Sequence, residues 1–172
     1  WATALAIIIY FRRDLGFLIQ GYVMSFVPIF RARSFKPIWR DEWMVQAWLV
    51  LVALVPTAVV GLALRDVVEL HLLTPFWAAL GLLVTAVTVG LAFLRLVRGA
   101  GHQENADVMQ AAGIGFLQGL AVLPGVSRSG LTISAGILLG LDPQRMARLS
   151  FYMGLPAILG AGLLELPAFF RH

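Results

Sequence analysis

From Met44 to Leu64 the chain runs for 21 residues without a charged side chain, and from Leu72 to Leu94 it runs for 23 more. At 1.5 Å per residue, a helix of either length covers about 30 Å, the thickness of a bilayer's hydrocarbon core. Composition points the same way. The 172 residues are 60% hydrophobic and 13% charged, whereas about a quarter of a soluble domain is charged. The predicted fold class is an all-α integral membrane protein, a multi-span bundle with one polytopic domain over residues 1–172. Two further spans are predicted, at about 149–170 and, in part, at 1–10. The chain opens on Trp1 inside an apolar run, without a basic leader region or an initiating Met, and so reads as a fragment of a longer chain.

Residues 11–43 form a predicted cytoplasmic loop. Within it Leu15, Leu18, Ile19, Tyr22, Phe26, Ile29 and Phe30 recur at three- and four-residue spacing, the pattern of an amphipathic helix lying in the interface. With this loop inside, Arg12, Arg13, Arg31, Arg33, Lys36, Arg40, Arg95, Arg98, Arg145 and Arg148 are cytoplasmic, and only Arg65 and Arg171 lie outside. Cytoplasmic loops collect basic residues, so the net charge of +4 implies no nucleic-acid partner. Trp39, Trp43 and Trp77 suit interfacial belts.

The stretch 108–141 differs from the spans. Two uncharged arms, 108–123 and 131–141, flank the sequence Leu-Pro-Gly-Val-Ser-Arg-Ser-Gly at Leu123–Gly130. The arms reach only about 24 and 16 Å as helices, and the second is well short of a bilayer. Two short arms around a Pro-Gly break predict a re-entrant helix pair with its tip inside the membrane, where irregular backbone needs protein or a wet cavity around it.

An arginine at such a tip is costly unless it is paired. Arg128 has no acidic neighbour closer in sequence than Asp142. Its surroundings suit a phosphate. Gly125 and Gly130 allow close backbone approach, and Ser127, Ser129 and Thr132 offer hydroxyls. A helix starting near Leu131 would aim its free N–H groups at the tip, and the guanidinium is a planar fork that matches phosphate oxygens. The alternative is that Ser129 only caps the helix while Arg128 snorkels or pairs with a carboxylate. Gln118, an intramembrane amide, is either a helix-to-helix hydrogen bond or a wall of the site.

Other features carry less. Gly115-x-x-x-Gly119, Gly136-x-x-x-Gly140, Gly154, Gly160 and Gly162 are expected to let helices pack closely. His71, His102 and His172 are not at metal-ligand spacing. Arg65 and Glu69 form an i,i+4 pair, Asp142-Pro143 opens the last helix as cap and first residue, and Glu165 suits an interfacial carboxylate.

The segment from Gln118 to Asp142, with Pro124-Gly125-x-Ser127-Arg128-Ser129-Gly130 followed by Thr132, closely resembles a signature of the undecaprenyl-diphosphate phosphatase family, the bacitracin-resistance proteins. The likeness extends outward. Residues 7–15 resemble that family's helix end and first cytoplasmic loop, 54–66 its next span, and 147–166 the span after the signature. The family's earlier re-entrant segment, rich in glutamate and carrying serine and histidine, has no counterpart in these residues. The resemblance therefore implies part of an inverted repeat.

It also implies removal of the terminal phosphate of undecaprenyl pyrophosphate, at the outer face of the bacterial plasma membrane. Arg128 and Ser127 would be catalytic, and Gly125, Ser129, Gly130, Thr132 and Gln118 substrate-binding. A divalent cation, magnesium or calcium, would be held largely by the segment not represented here. The partners implied are an isoprenoid pyrophosphate lipid and the bilayer, with a homodimer compatible. A transporter or flippase for an anionic lipid is the alternative that the same arginine tip would serve.

Overall fold

The computed structural model describes residues 2–32, 41–99, 103 and 105–169. Trp39, Arg33, Lys36, Arg40, His102, Arg171 and His172 lie outside the described residues, as do the side chains of Ile29, Phe30, Arg31 and Glu165. Among the described residues seven helices follow one another: α1 Ala2–Tyr10, α2 Arg12–Ala32, α3 Glu42–Val67, α4 Pro75–Val97, α5 Val108–Leu120, α6 Arg128–Leu138 and α7 Pro143–Phe169, with α3 running on through a π turn at Val68–Leu72. Among the described residues, two helices are long and apolar enough to cross a membrane, Glu42–Leu72 and Pro75–Val97.

Side chains at the helix starts set the boundaries. Asp41 Oδ1 accepts from Met44 N at 3.0 Å, and Pro75 opens α4 behind Thr74. At α5, Asp107 accepts from Gln110 N at 2.7 Å while the Gln110 side chain accepts from Asp107 N at 2.9 Å. This reciprocal box satisfies two N–H groups that a helix start otherwise leaves orphaned. At α7, Asp142 Oδ1 accepts from Arg145 N at 2.9 Å, so Asp142-Pro143 caps as its sequence indicates.

Close backbone packing organises the centre. A Cβ at Gly115 would run into the Ala53 carbonyl of α3, and one at Gly119 would come within 2.6 Å of Val60 Cβ. Thr57 Oγ1, on the same face of α3, lies 2.8 Å from both Ala53 O and Gly115 O. Gly136 of α6 gives way to the Met146 side chain in the same manner. These glycines are contact points between helices, as small residues are in membrane bundles. Gly154 and Gly160 are not. A Cβ at either would meet nothing within 4 Å, so the packing role expected of them is corrected.

The stripe on α2 divides. Leu18 is buried and Leu15 and Tyr22 pack on the core, whereas Ile19 and Phe26 stay exposed. Phe17 stacks on Trp43 with centroids 5.0 Å apart, and Tyr22 on Trp48 at 5.7 Å. Trp43 thus has a specific partner on α2 beyond any belt role. On α4 the large apolar side chains of Leu82, Leu83, Val87 and Phe93 are exposed. A contiguous apolar helix face of this kind needs lipid or protein to cover it.

At the end away from the α5–α6 connection, several elements are tied together. Arg145 Nη1 donates to Glu42 Oε1 at 2.8 Å and to Asn105 Oδ1 at 2.9 Å. Gln103 N donates to Gly140 O at 2.6 Å and Asp142 N to Gln103 O at 3.0 Å. Arg95 Nη1 donates to Leu138 O in the last turn of α6 at 2.9 Å, where a cation also suits the helix dipole. The expected Arg65–Glu69 pair is present at 2.8 Å across the start of the π turn.

Candidate functional site

After Leu120 the chain leaves α5 through tight turns. Ala121 N donates to Gln118 O, Val122 N to Gly119 O and Leu123 N to Leu120 O, at 3.1 to 3.3 Å. Gly125 then takes φ +78°, the left-handed region that favours glycine. A Cβ there would run into the Ala78 carbonyl, and a Cβ at Gly81 would run into the Pro124 carbonyl. Two glycines on facing strands of backbone therefore seat the tip directly on α4. The contact at Ala78 lies one turn into α4, and from there the tip runs along the first half of that helix.

Thr85, one turn after Gly81, completes the seat. Its Oγ1 donates to Gly81 O at 3.0 Å and accepts from Ser127 N at 3.0 Å. Sequence reasoning gave Thr85 no role. The available signal was a hydroxyl and a glycine four residues apart in an otherwise aliphatic run, which places both on one helix face. Replacing Thr85 with valine is expected to remove the partner of the exposed Ser127 N–H and to destabilise the tip by about 0.5–1.5 kcal/mol, the net worth of one hydrogen bond. Faster amide hydrogen exchange at residues 125–131 in Thr85→Val would register it.

Helix α6 starts at Arg128, three residues ahead of its predicted start, because Ser127 is its cap. Ser127 Oγ accepts from Gly130 N at 3.2 Å. Ser129, considered as the cap from sequence, instead lies in the first turn and is exposed. A Cβ at Gly130 would stand 3.0 Å from Ser127 Oγ and 3.1 Å from Thr85 Cγ2, so its glycine keeps the cap and the α4 contact close. The cap uses one first-turn N–H group, in a turn that ordinarily leaves several for a ligand or water.

Arg128 is half-buried, and its Nη1 donates to Gly154 O of α7 at 3.4 Å. Among the described residues no carboxylate lies within 4.0 Å of it; the ion pairs there are Arg65–Glu69 and Arg145–Glu42. A guanidinium has five N–H donors, and a single long bond to a neutral carbonyl leaves most of them available. Around Arg128 stand the exposed Ser127 and Ser129, with Gly125 and Gly130 beside them. This arrangement offers donors and positive charge, which is the chemistry of an oxyanion site.

Two of the candidate residues are placed elsewhere. Thr132 is fully buried. Its Oγ1 donates to Arg128 O at 2.9 Å and sits 2.7 Å from Ser150 Oγ on α7, so its hydroxyl is not presented at the tip. Gln118 is 3% exposed. Its Nε2 donates to Met153 O at 3.3 Å and to Thr57 Oγ1 at 3.4 Å, while Oε1 is buried without a partner. It joins α3, α5 and α7, the helix-to-helix alternative of the sequence reading. Among the described residues no group of three or more His, Cys, Asp or Glu side chains is gathered for a metal ion. The donors at the tip suit an anion, so the residues present do not form a magnesium or calcium site. A separate apolar groove of about 370 Å³ lies between α2, α3 and α7, walled by Leu18, Tyr22, Val50, Leu54, Tyr152 and Leu155.

The profile of the family described as "Bacitracin resistance protein BacA" matches residues 1–172. A protein of Desulfosudis oleivorans named undecaprenyl-diphosphatase is 42% identical over 163 residues, covering 95% of this chain and 59% of its own length. Proteins of the same name from Methanosphaera stadtmanae and Rubrobacter xylanophilus are 35% and 38% identical, over 95% of this chain and 60% and 57% of theirs. The chain thus spans about three fifths of these relatives.

Proposed function

Because the chain belongs to the bacitracin-resistance protein BacA family, we propose that the protein carrying it removes the terminal phosphate of undecaprenyl pyrophosphate, yielding the monophosphate carrier lipid. The observation that carries this reading is Arg128. It is a half-buried arginine at a serine-capped helix start, with no carboxylate partner among the described residues. Pyrophosphate oxygens would take the fork of Arg128, the hydroxyls of Ser127 and Ser129 and the free N–H groups of the first turn of α6. Gly125 and Gly130 would let the headgroup approach the backbone. Phosphoryl transfer is mainly positioning and charge stabilisation, and these residues supply both.

In this reading α5 and α6 are a re-entrant pair in the plasma membrane of a bacterium, with both ends on the cytoplasmic side and the tip approached from the outer face. The contact of the tip with Ala78, near the start of α4, supports a headgroup site reached from that side. An inverted copy of the re-entrant pair, in the part of the relatives' length that these residues do not span, would face the tip and contribute the attacking group. A divalent cation belongs to the same reading and would be held there.

The test is phosphate release from undecaprenyl pyrophosphate by the complete protein in detergent, with magnesium or calcium. Steady release of inorganic phosphate is the expected result. Movement of the lipid across vesicles without any release would replace the reading with that of an anionic-lipid flippase.

A further inference from the structure

Helix α7 reaches residue 128 directly at Gly154 and through Thr132 at Ser150, one turn apart. Gly154 O accepts from the Arg128 guanidinium at 3.4 Å. Ser150 Oγ lies 2.7 Å from Thr132 Oγ1, which in turn lies 2.9 Å from the Arg128 carbonyl. Residues 150 and 154 share one face of a helix, and so do 128 and 132 on α6. The side chain and the backbone of the arginine are thus both referenced to the same strip of α7.

A hydroxyl has one hydrogen. When the Thr132 hydrogen is on Arg128 O, Ser150 is the donor to Thr132; when Thr132 donates to Ser150 instead, the two hydroxyls stay joined at 2.7 Å. Ser150 is 4% exposed and Thr132 fully buried, so neither bond is readily replaced by one to water, and linked hydroxyls polarise one another.

We infer that Ser150 is a positioning residue, which sets the height of Arg128 at the tip by hydrogen-bonding through Thr132. Thr132 then acts from behind the arginine and does not touch the substrate. This rests on the phosphatase reading for its consequence, since a displaced clamp costs turnover. It rests on geometry alone for the coupling of α7 to the first turn of α6.

The test is a double-mutant cycle in the complete protein, using Ser150→Ala and Thr132→Val, with Thr132→Ser as the variant that keeps the hydroxyl. Each of the first two is expected to lower kcat by roughly tenfold with KM changed much less, as a small misplacement of a charge-stabilising group does. The double variant should be no worse than either single, because both break one chain. Thr132→Ser should stay within about twofold to threefold of the parent, since the hydroxyl link is what matters. Additive losses, or a rise in KM alone in Thr132→Val, would overturn the inference and return Thr132 to direct substrate contact.

Amide hydrogen exchange over residues 128–133 provides a readout independent of turnover. Ser150→Ala and Thr132→Val should accelerate it alike, and Thr132→Ser should not. Were the parent protein to release no phosphate, the phosphatase reading would fall while this exchange pattern still decided the coupling. Unchanged exchange in both hydroxyl-deleting variants would sink it. If Ser150→Ala does not fold, the comparison of Thr132→Val with Thr132→Ser decides the same point.

Discussion

Arg128→Ala is expected to lower phosphate release by the complete protein by about 10²–10³-fold, the usual cost of deleting one preorganised charge-stabilising group. The fold should survive the change. The side chain gives up one long bond to Gly154 O, the start of α6 is held by Ser127 and Gly130, and the arginine backbone is held by Thr132. Arg128→Lys should recover only part of the loss, because an ammonium keeps the charge but lacks the planar fork. Turnover measured beside thermal unfolding in the same detergent separates the cases. A folded Arg128→Ala with undiminished turnover would remove the tip from the chemistry.

Gly125→Ala should be the most damaging single methyl in the chain. Its φ of +78° costs an L-residue about 1–2 kcal/mol. The added Cβ also points into the Ala78 carbonyl, a backbone atom of α4 that cannot swing aside. Tip and helix must separate, which breaks the Ser127–Thr85 bond next to the arginine. Lower thermal stability and lost turnover are expected together. Gly154→Ala is the matched control. It adds a methyl where nothing lies within 4 Å, so it should hold or slightly raise stability through helix propensity, by up to about 1 kcal/mol.

The parts of this fold governed by charge were open to reading from sequence. The two long uncharged runs became α3 and α4, and a Pro-Gly break between short arms became the turn between α5 and α6. Asp142-Pro143 marked the start of α7. What sequence did not reveal was which hydroxyl faces which helix. Three serine or threonine positions around Arg128 are equivalent as text. Only the backbone shows Ser127 as the cap, Ser129 as exposed and Thr132 turned to Ser150. Thr85 and Ser150 sit in apolar or mixed runs with no motif of their own, and their roles exist only across helix–helix contacts. Gly154 misled for the opposite reason. A glycine in a helix suggests close packing, yet here its carbonyl makes the contact with Arg128 and the space above its Cα is open.

The two arginines at the ends of α6, Arg95 reaching over from α4 and Arg128 of α6 itself, stand in opposite electrostatic situations. Arg95 approaches the carbonyl end, at Leu138 O, where a cation is welcome. Arg128 is the first residue of the helix, where the partial charge is already positive and a cation is repelled. At the tip a cation therefore stands beside the N–H groups of a helix start, with no carboxylate within 4.0 Å among the described residues. An arriving anion resolves both charges in one event. In the phosphatase reading, that repulsion makes the tip favour an anionic headgroup over a neutral one.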